Sequence, residues 1–209
     1  MDSRSDHRLE LAATVLLAVA AVGTAWSTYQ AAVWHGRQAE AQSASIAARV
    51  ESTRAAAVAD RQVQVDVALF TQWVDAYAQD ETELVAFYQR RFRDEFRPAF
   101  NAWVATKPRT NPDAPPSPFA MPQYHLAANS QADRLEAKAA AASKDVARYI
   151  QRADDYTLAV VLFAVSLFFA ALNTRMHTLR LRAALLAMGY VLCAVTIVWL
   201  ATQPVNVPI

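Results

Sequence analysis

The chain has 209 residues, a formal net charge of +1 and one cysteine, Cys193. Near-zero charge leaves no long-range field to gather nucleic acid, and one cysteine excludes an internal disulfide and argues against a metal–thiolate site. Hydrophobic residues make up 55% of the chain, glycine occurs three times, and the prolines gather between Pro98 and Pro122 and in the last six residues. So few breakers and so much alanine predict an all-α protein.

Residues 1–10 form a short charged N-terminus with Arg4 and Arg8. The run LAATVLLAVAAVGTAWSTYQAAVW (11–34) is long enough to cross about 30 Å of hydrocarbon at about 1.5 Å per residue. A cleaved signal peptide would also start from a charged stretch such as SRSDHR. The apolar run is too long for one, however, and its helical pattern continues past it. Thr24, Ser27, Thr28 and Gln30 place a polar cluster in the outer half of this span, flanked by Trp26, Tyr29 and Trp34. Polar groups inside a span face protein or water. The plain reading is helix packing through Ala20, Thr24, Ser27 and Ala31, with Tyr29 and Trp34 in the aromatic belt at the outer interface. The sharper reading is a pore lined by copies of the first span, whose oxygens would replace part of an ion's hydration.

The segment 35–156 is polar and alanine-rich. No helix stop occurs between Arg37 and Gln79, so the first span and this arm read as one helix. Ala44, Ala48, Ala55, Val58, Val65 and Leu69 suggest its inner stripe. The return arm is cleaner: Ala128, Ala132, Leu135, Ala139, Ala142, Val146, Tyr149, Ala153 and Tyr156 alternate steps of four and three into the second span. Two such arms predict a long antiparallel helical hairpin, a coiled-coil-like stalk between the first and second spans. At its far end, DETELVAFYQRRFRDEFRPAF opens with Asp80 and Glu83 spaced as a capping box. Leu84, Phe87, Tyr88, Phe92 and Phe96 predict one amphipathic helix there. The arginines of that stretch are balanced by acids, which argues against a nucleic-acid patch. A Pro-rich cap follows (about 98–125), with Phe119 and Tyr124 available to pin it.

The second span is 157–173 and the third 183–201, with an uncharged tail at 202–209. Between the spans, the loop 174–182 carries Arg175, Arg180 and Arg182 and no acid, which keeps it cytoplasmic. With three spans the N-terminus shares that side. Residues 35–156 and the tail are then extracytoplasmic.

Chemistry is sparse. His7, His35, His125 and His177 show no metal-ligand spacing, and there is no phosphate-cradling loop, nucleophile elbow or isolated carboxylate in a span. No cofactor and no enzymatic activity are expected. A hairpin would bring His35 to the depth of Asp154 and Asp155, where carboxylates would favour its protonated form and make a pH-sensitive contact. The competing reading leaves those acids to Arg37 and His35 to the headgroups.

The stretch ATVLLAVAAVGTAWSTYQAAVWHGRQAEAQSAS (12–44), with the layout of the spans, resembles a group of bacterial inner-membrane proteins that have one N-terminal span, a helical soluble segment and two C-terminal spans. The resemblance implies the bacterial plasma membrane and carries no activity, cofactor or assigned residue. Three spans make a thin bundle and alanine seams bury little area, so a homo-oligomer or an envelope partner is expected to cover them. The expected function is a non-enzymatic oligomeric assembly or scaffold. The alternatives are a homo-oligomeric channel lined by the first span and an accessory subunit of a transporter or respiratory complex.

Overall fold

The computed structural model describes residues 3–173, 176 and 178–206. Those residues are all-helical: α1 (Ser3–Ala78), α2 (Thr82–Gln89), α3 (Arg97–Ala105), a 3-10 turn (Pro118–Ala120), α4 (Ala127–Asn173) and α5 (Leu179–Ala201). Within α1, α4 and α5 lie three segments long and apolar enough to cross a membrane. The chain forms two compact units, a bundle unit of Met1–Ala44 with Ala142–Ile209 and a hairpin unit of Ser45–Ala141.

In the bundle unit, α1 buries Ala13, Leu16, Ala20, Ser27, Gln30 and Trp34. With the half-buried Gly23 these positions alternate steps of three and four. Helix α5 does the same with Leu186, Gly189, Cys193 and Thr196. Such spacing keeps one narrow stripe of each helix against its neighbours. The opposite faces carry Val15, Val19, Val22, Val161, Val165, Phe168, Val191, Val195 and Val198, all more than a third exposed. This apolar outer surface is what hydrocarbon solvates and water does not.

Two glycines set how close the helices come. A Cβ on Gly23 would lie 2.5 Å from the Phe163 ring, and one on Gly189 would lie 2.8 Å from Leu16 Cδ2. Gly36 has no atom within 4 Å of such a Cβ, and α1 stays helical through it. The end of the bundle that holds Gln30 and Tyr156 is tied by the chain's own tail: Tyr156 OH donates to the Pro204 carbonyl (3.2 Å), and Asn206 N–H donates to Gln30 Oε1 (3.3 Å).

In the hairpin unit, α1 and α4 pair antiparallel. Ser45 Oγ donates to the Ala139 carbonyl (3.1 Å) and Ser52 Oγ to that of Ala132 (3.0 Å), so the partner number falls by seven as the α1 number rises by seven. The return-arm stripe expected from the sequence is the one observed: all nine positions are buried or half-buried. The outgoing stripe is different. Its inner positions are Ser45, Ala48, Ser52, Ala55, Ala59, Gln62, Asp66, Leu69, Trp73 and Ala76, in unbroken three–four alternation. Ala44, Val58 and Val65 are exposed. Apolar periodicity does not reveal this register because four of the seam positions are polar.

The capping box does not form. Asp80 adopts φ 57, Asp80 N–H donates to the Tyr77 carbonyl and Glu81 N–H to that of Ala76. This left-handed close uses Asp80 to end α1 rather than to start α2. The single amphipathic helix also breaks: α2 stops at Gln89, and α3 begins at Arg97 with Pro98 in its first turn. Proline suits the first turn of a helix, which fits the start of α3. At the other end of the chain, α5 begins at Leu179, inside the stretch expected as loop.

Gly23→Leu is expected to destabilise the bundle by about 1–3 kcal/mol through overpacking against Phe163. Gly36→Ala, with open space around it, is expected to stabilise α1 by about 0.5–1 kcal/mol. Thermal melts of the detergent-solubilised variants, followed by helical circular dichroism, check the two opposite signs.

Candidate functional site

The hairpin unit is organised around one buried acid. Asp66, on the inner stripe of α1, has a fully buried side chain. Its Oδ2 accepts from Arg93 Nη1 (2.9 Å) and from Tyr124 OH (3.0 Å). Arg93 also pairs with Glu95 Oε2, whose other oxygen, Oε1, accepts from Ala127 N–H at the first turn of α4 (3.1 Å). A carboxylate suits the N-terminus of a helix, where backbone N–H groups lack intrahelical acceptors. One relay of charges therefore links α1, the turn after α2, the Pro-rich segment and the start of α4. Burial pushes the Asp66 carboxyl above its ordinary value, against the lowering effect of Tyr124 and Arg93. The Tyr124 hydroxyl is raised as well, by burial and by the neighbouring Asp66 charge.

Aromatic rings pack beside this relay. Trp73, Phe92, Phe96, Phe100 and Trp103 form the buried cluster, and Phe70, Phe119 and Tyr124 pack on it. Edge-on pairs dominate, as in Phe92–Phe100 (4.7 Å between centroids), Trp73–Phe100 (4.9 Å) and Phe70–Phe119 (5.7 Å). Phe119 and Tyr124 fasten the Pro-rich segment to the hairpin, and Trp103 Nε1 donates to the Pro115 carbonyl (2.7 Å) and holds its middle. Between α1, α3 and this strap lies a half-open groove of about 770 Å³.

The sequence-expected residues all belong to the bundle unit or lie beyond the described residues. Ser27 and Gln30 are fully buried within the chain's own helices. Thr24 is half-buried and Thr28 exposed, and each hydroxyl donates to the carbonyl four residues back, of Ala20 and Thr24. Ser27 Oγ, Gln30 Nε2 and Trp34 Nε1 are buried without a hydrogen-bond partner among the described residues. Tyr29 and Trp26 are exposed, as an interfacial belt requires. Trp34 instead turns inward onto Tyr149 (5.6 Å), with the Arg152 guanidinium 4.5 Å from its ring centroid.

His35 is exposed and its Nδ1 meets Gln38 Oε1 at 3.2 Å. Asp155 accepts from Gln151 Nε2 (3.3 Å), and Asp154 is exposed. Among the described residues no ion pair joins His35 to either acid, and Arg37 pairs with Glu40. Of the loop arginines, Arg180 is exposed and Arg182 Nε donates to the buried Asn173 Oδ1 (3.4 Å). Arg175 lies outside the described residues. No group of three His, Cys, Asp or Glu among the described residues could hold a metal ion.

Asp66→Ala removes the acceptor of Arg93 and Tyr124 and is expected to cost about 3 kcal/mol, whereas Asp66→Asn keeps an acceptor oxygen and costs less. The pH dependence has a defined sign. Because the folded carboxyl is raised, its contribution is complete below the ordinary value of 3.8 and is lost as pH climbs through the raised one. Melts of the wild type and Asp66→Asn from acidic to neutral pH should therefore show the wild type losing ground to the variant as pH rises. No family model, no curated protein and no solved structure matches the chain, so its function is argued from these residues.

Proposed function

We propose that the chain is a non-enzymatic integral membrane protein of the bacterial inner membrane, acting as a homo-oligomeric assembly scaffold. Residues 35–156 are its extracytoplasmic contact segment. The single observation that carries this reading is a set of uncovered β-branched side chains on α1 within the hairpin unit. Ile46, Val50, Val58 and Val65 are 53, 44, 39 and 49% exposed, the first two on the side of the helix away from the buried seam and the last two along its edge. Arg54 and Arg61 stand among them in the sequence, and Glu51 pairs with Arg54, so lipid is a poor partner for this stretch. A second copy presents the same apolar side chains with charges of both signs beside them, which suits self-association.

Orientation rests on the basic start of α5, where Arg180 and Arg182 stand without an acid nearby in sequence. The pore reading draws less support. Ser27 and Gln30 are already covered by the chain itself, and the hydroxyls of Thr24 and Thr28 are engaged by their own helix.

Single cysteines at Val50 or Val58, in a Cys193→Ala background, are expected to give crosslinked dimers in native membranes with a short bis-maleimide. Lys138→Cys, on the other arm, is expected to stay monomeric. A monomeric mass for detergent-solubilised particles, together with no crosslink at either valine, would remove the scaffold reading.

A further inference from the structure

The groove of the hairpin unit has a chemistry of its own. Its volume of about 770 Å³ falls within the range of about 300–1,000 Å³ usual for small-molecule sites. Val74, Tyr77 and Val104 line it and are 38, 39 and 41% exposed, so three large apolar side chains stand uncovered inside one concavity. Tyr77 extends a stack that runs from Phe70 to Trp73 (6.1 Å) and on to Tyr77 (4.9 Å), each step within 12° of parallel. The Arg109 guanidinium lies 5.0 Å from the Tyr77 centroid.

The rim is cationic. Lys107 and Arg109 are both exposed, both line the groove, and no Asp or Glu lines it with them. Neither makes an ion pair among the described residues. Lys107 closes α3 at φ 54, a position where glycine is the usual resident, and its N–H donates to the Val104 carbonyl (3.0 Å). The strap behind it is held in place. Asn111 Nδ2 donates to the Thr106 carbonyl (3.1 Å), Trp103 Nε1 holds Pro115, and prolines at 108, 112, 115 and 116 limit its freedom. A fixed wall of this kind lowers the ordering cost of binding.

We propose that this groove binds a small amphipathic anion taken up from water. The apolar body lies on Val74, Tyr77 and Val104, and a single carboxylate sits against Lys107 and Arg109. An apolar floor selects for the body, two unmatched cations select for the charge, and the absence of a lining acid rejects a cationic head. The lining residues fall outside the apolar runs 11–34, 157–173 and 183–201, which points to a soluble source rather than a bilayer headgroup. The inference does not rest on the scaffold reading, because it concerns a different face of the hairpin unit and predicts binding by each copy.

The test uses the full chain in nanodiscs of zwitterionic phospholipid, titrated with dodecanoate and corrected by empty discs. Dodecanol and dodecyltrimethylammonium carry the same chain without the anion. Saturable binding of dodecanoate is expected, with none of the cationic amphiphile above the empty-disc background. The double variant Lys107→Gln/Arg109→Gln is expected to weaken dodecanoate by about tenfold and leave dodecanol unchanged. Val104→Trp, which fills the floor, is expected to abolish binding of both, with helical circular dichroism confirming the fold. Both cations are exposed, so the double variant stays informative should Val104→Trp perturb packing. Dodecanoate uptake equal to that of empty discs, or equal affinity in the double variant, would overturn the proposal. Loss of dodecanoate binding in discs that contain an anionic phospholipid would overturn the soluble source.

Discussion

Close approach of α1 to its neighbours, along a stripe of small residues, is the constraint from which the rest of the structure follows. The hydroxyls show how close. Thr14, Thr24, Thr28, Thr53 and Thr71 each donate to a carbonyl four residues back in their own helix. Ser45 and Ser52 instead reach across to carbonyls of α4. Such crossings need backbones separated by little more than a serine side chain, which alanines at 48, 55, 59, 132 and 139 permit. In the bundle unit the same geometry is set by Gly23 under Phe163 and Gly189 under Leu16. Small residues at helix contacts are the usual means of association in lipid, where no hydrophobic drive separates helix from solvent.

Small side chains have a cost in the hairpin unit, because each buried methyl group contributes only about 0.8 kcal/mol. The far end of that unit compensates by concentrating its aromatics, each of which buries about 150–250 Å². Phe92, Phe96, Phe100, Trp73 and Trp103 fill the interior. The relay from Asp66 through Arg93 and Glu95 to the start of α4 then fixes which turn meets which helix. Removing Arg93 or Tyr124 takes a donor from the fully buried Asp66 carboxylate, so the relay specifies the connection as well as stabilising it. The groove is a by-product of that arrangement with free chemistry left in it. The strap must pass over Trp103 to reach Phe119 and Tyr124, and it leaves Val74, Tyr77 and Val104 uncovered beneath Lys107 and Arg109.

Parts of the fold could be read directly from residue order, and particular residues show where that reading ended. The return arm was readable because all nine of its expected seam positions are alanine, leucine, valine or tyrosine, and all nine face inward. The outgoing arm was readable only as a helix. Its seam includes Ser45, Ser52, Gln62 and Asp66, and an exposed Val58 or Val65 looks more like core than a buried aspartate does. The capping box at Asp80 failed for a related reason: the same four residues can end one helix or start the next, and the bonds to Tyr77 and Ala76 decided for the ending. Trp34 carried an interfacial signature yet packs under Arg152 and against Tyr149.

Local order was enough for whatever depends on the chain's own periodicity and length. It established that the protein is all-helical, where three apolar segments stand, that a hairpin joins the first two, and that a proline-dense segment has Phe119 and Tyr124 available to pin it. Tertiary contact alone selected which polar residues were to be buried and what for. Asp66 and Arg93 are 27 positions apart, and Asp66 and Tyr124 are 58 apart. No window along the chain holds all three, and a lone aspartate in a helix looks solvated until its partners arrive. The groove has the same origin: its floor comes from α1 and α3 and its rim from the strap, so its pairing of apolar surface with unmatched cations exists only once those segments are brought together.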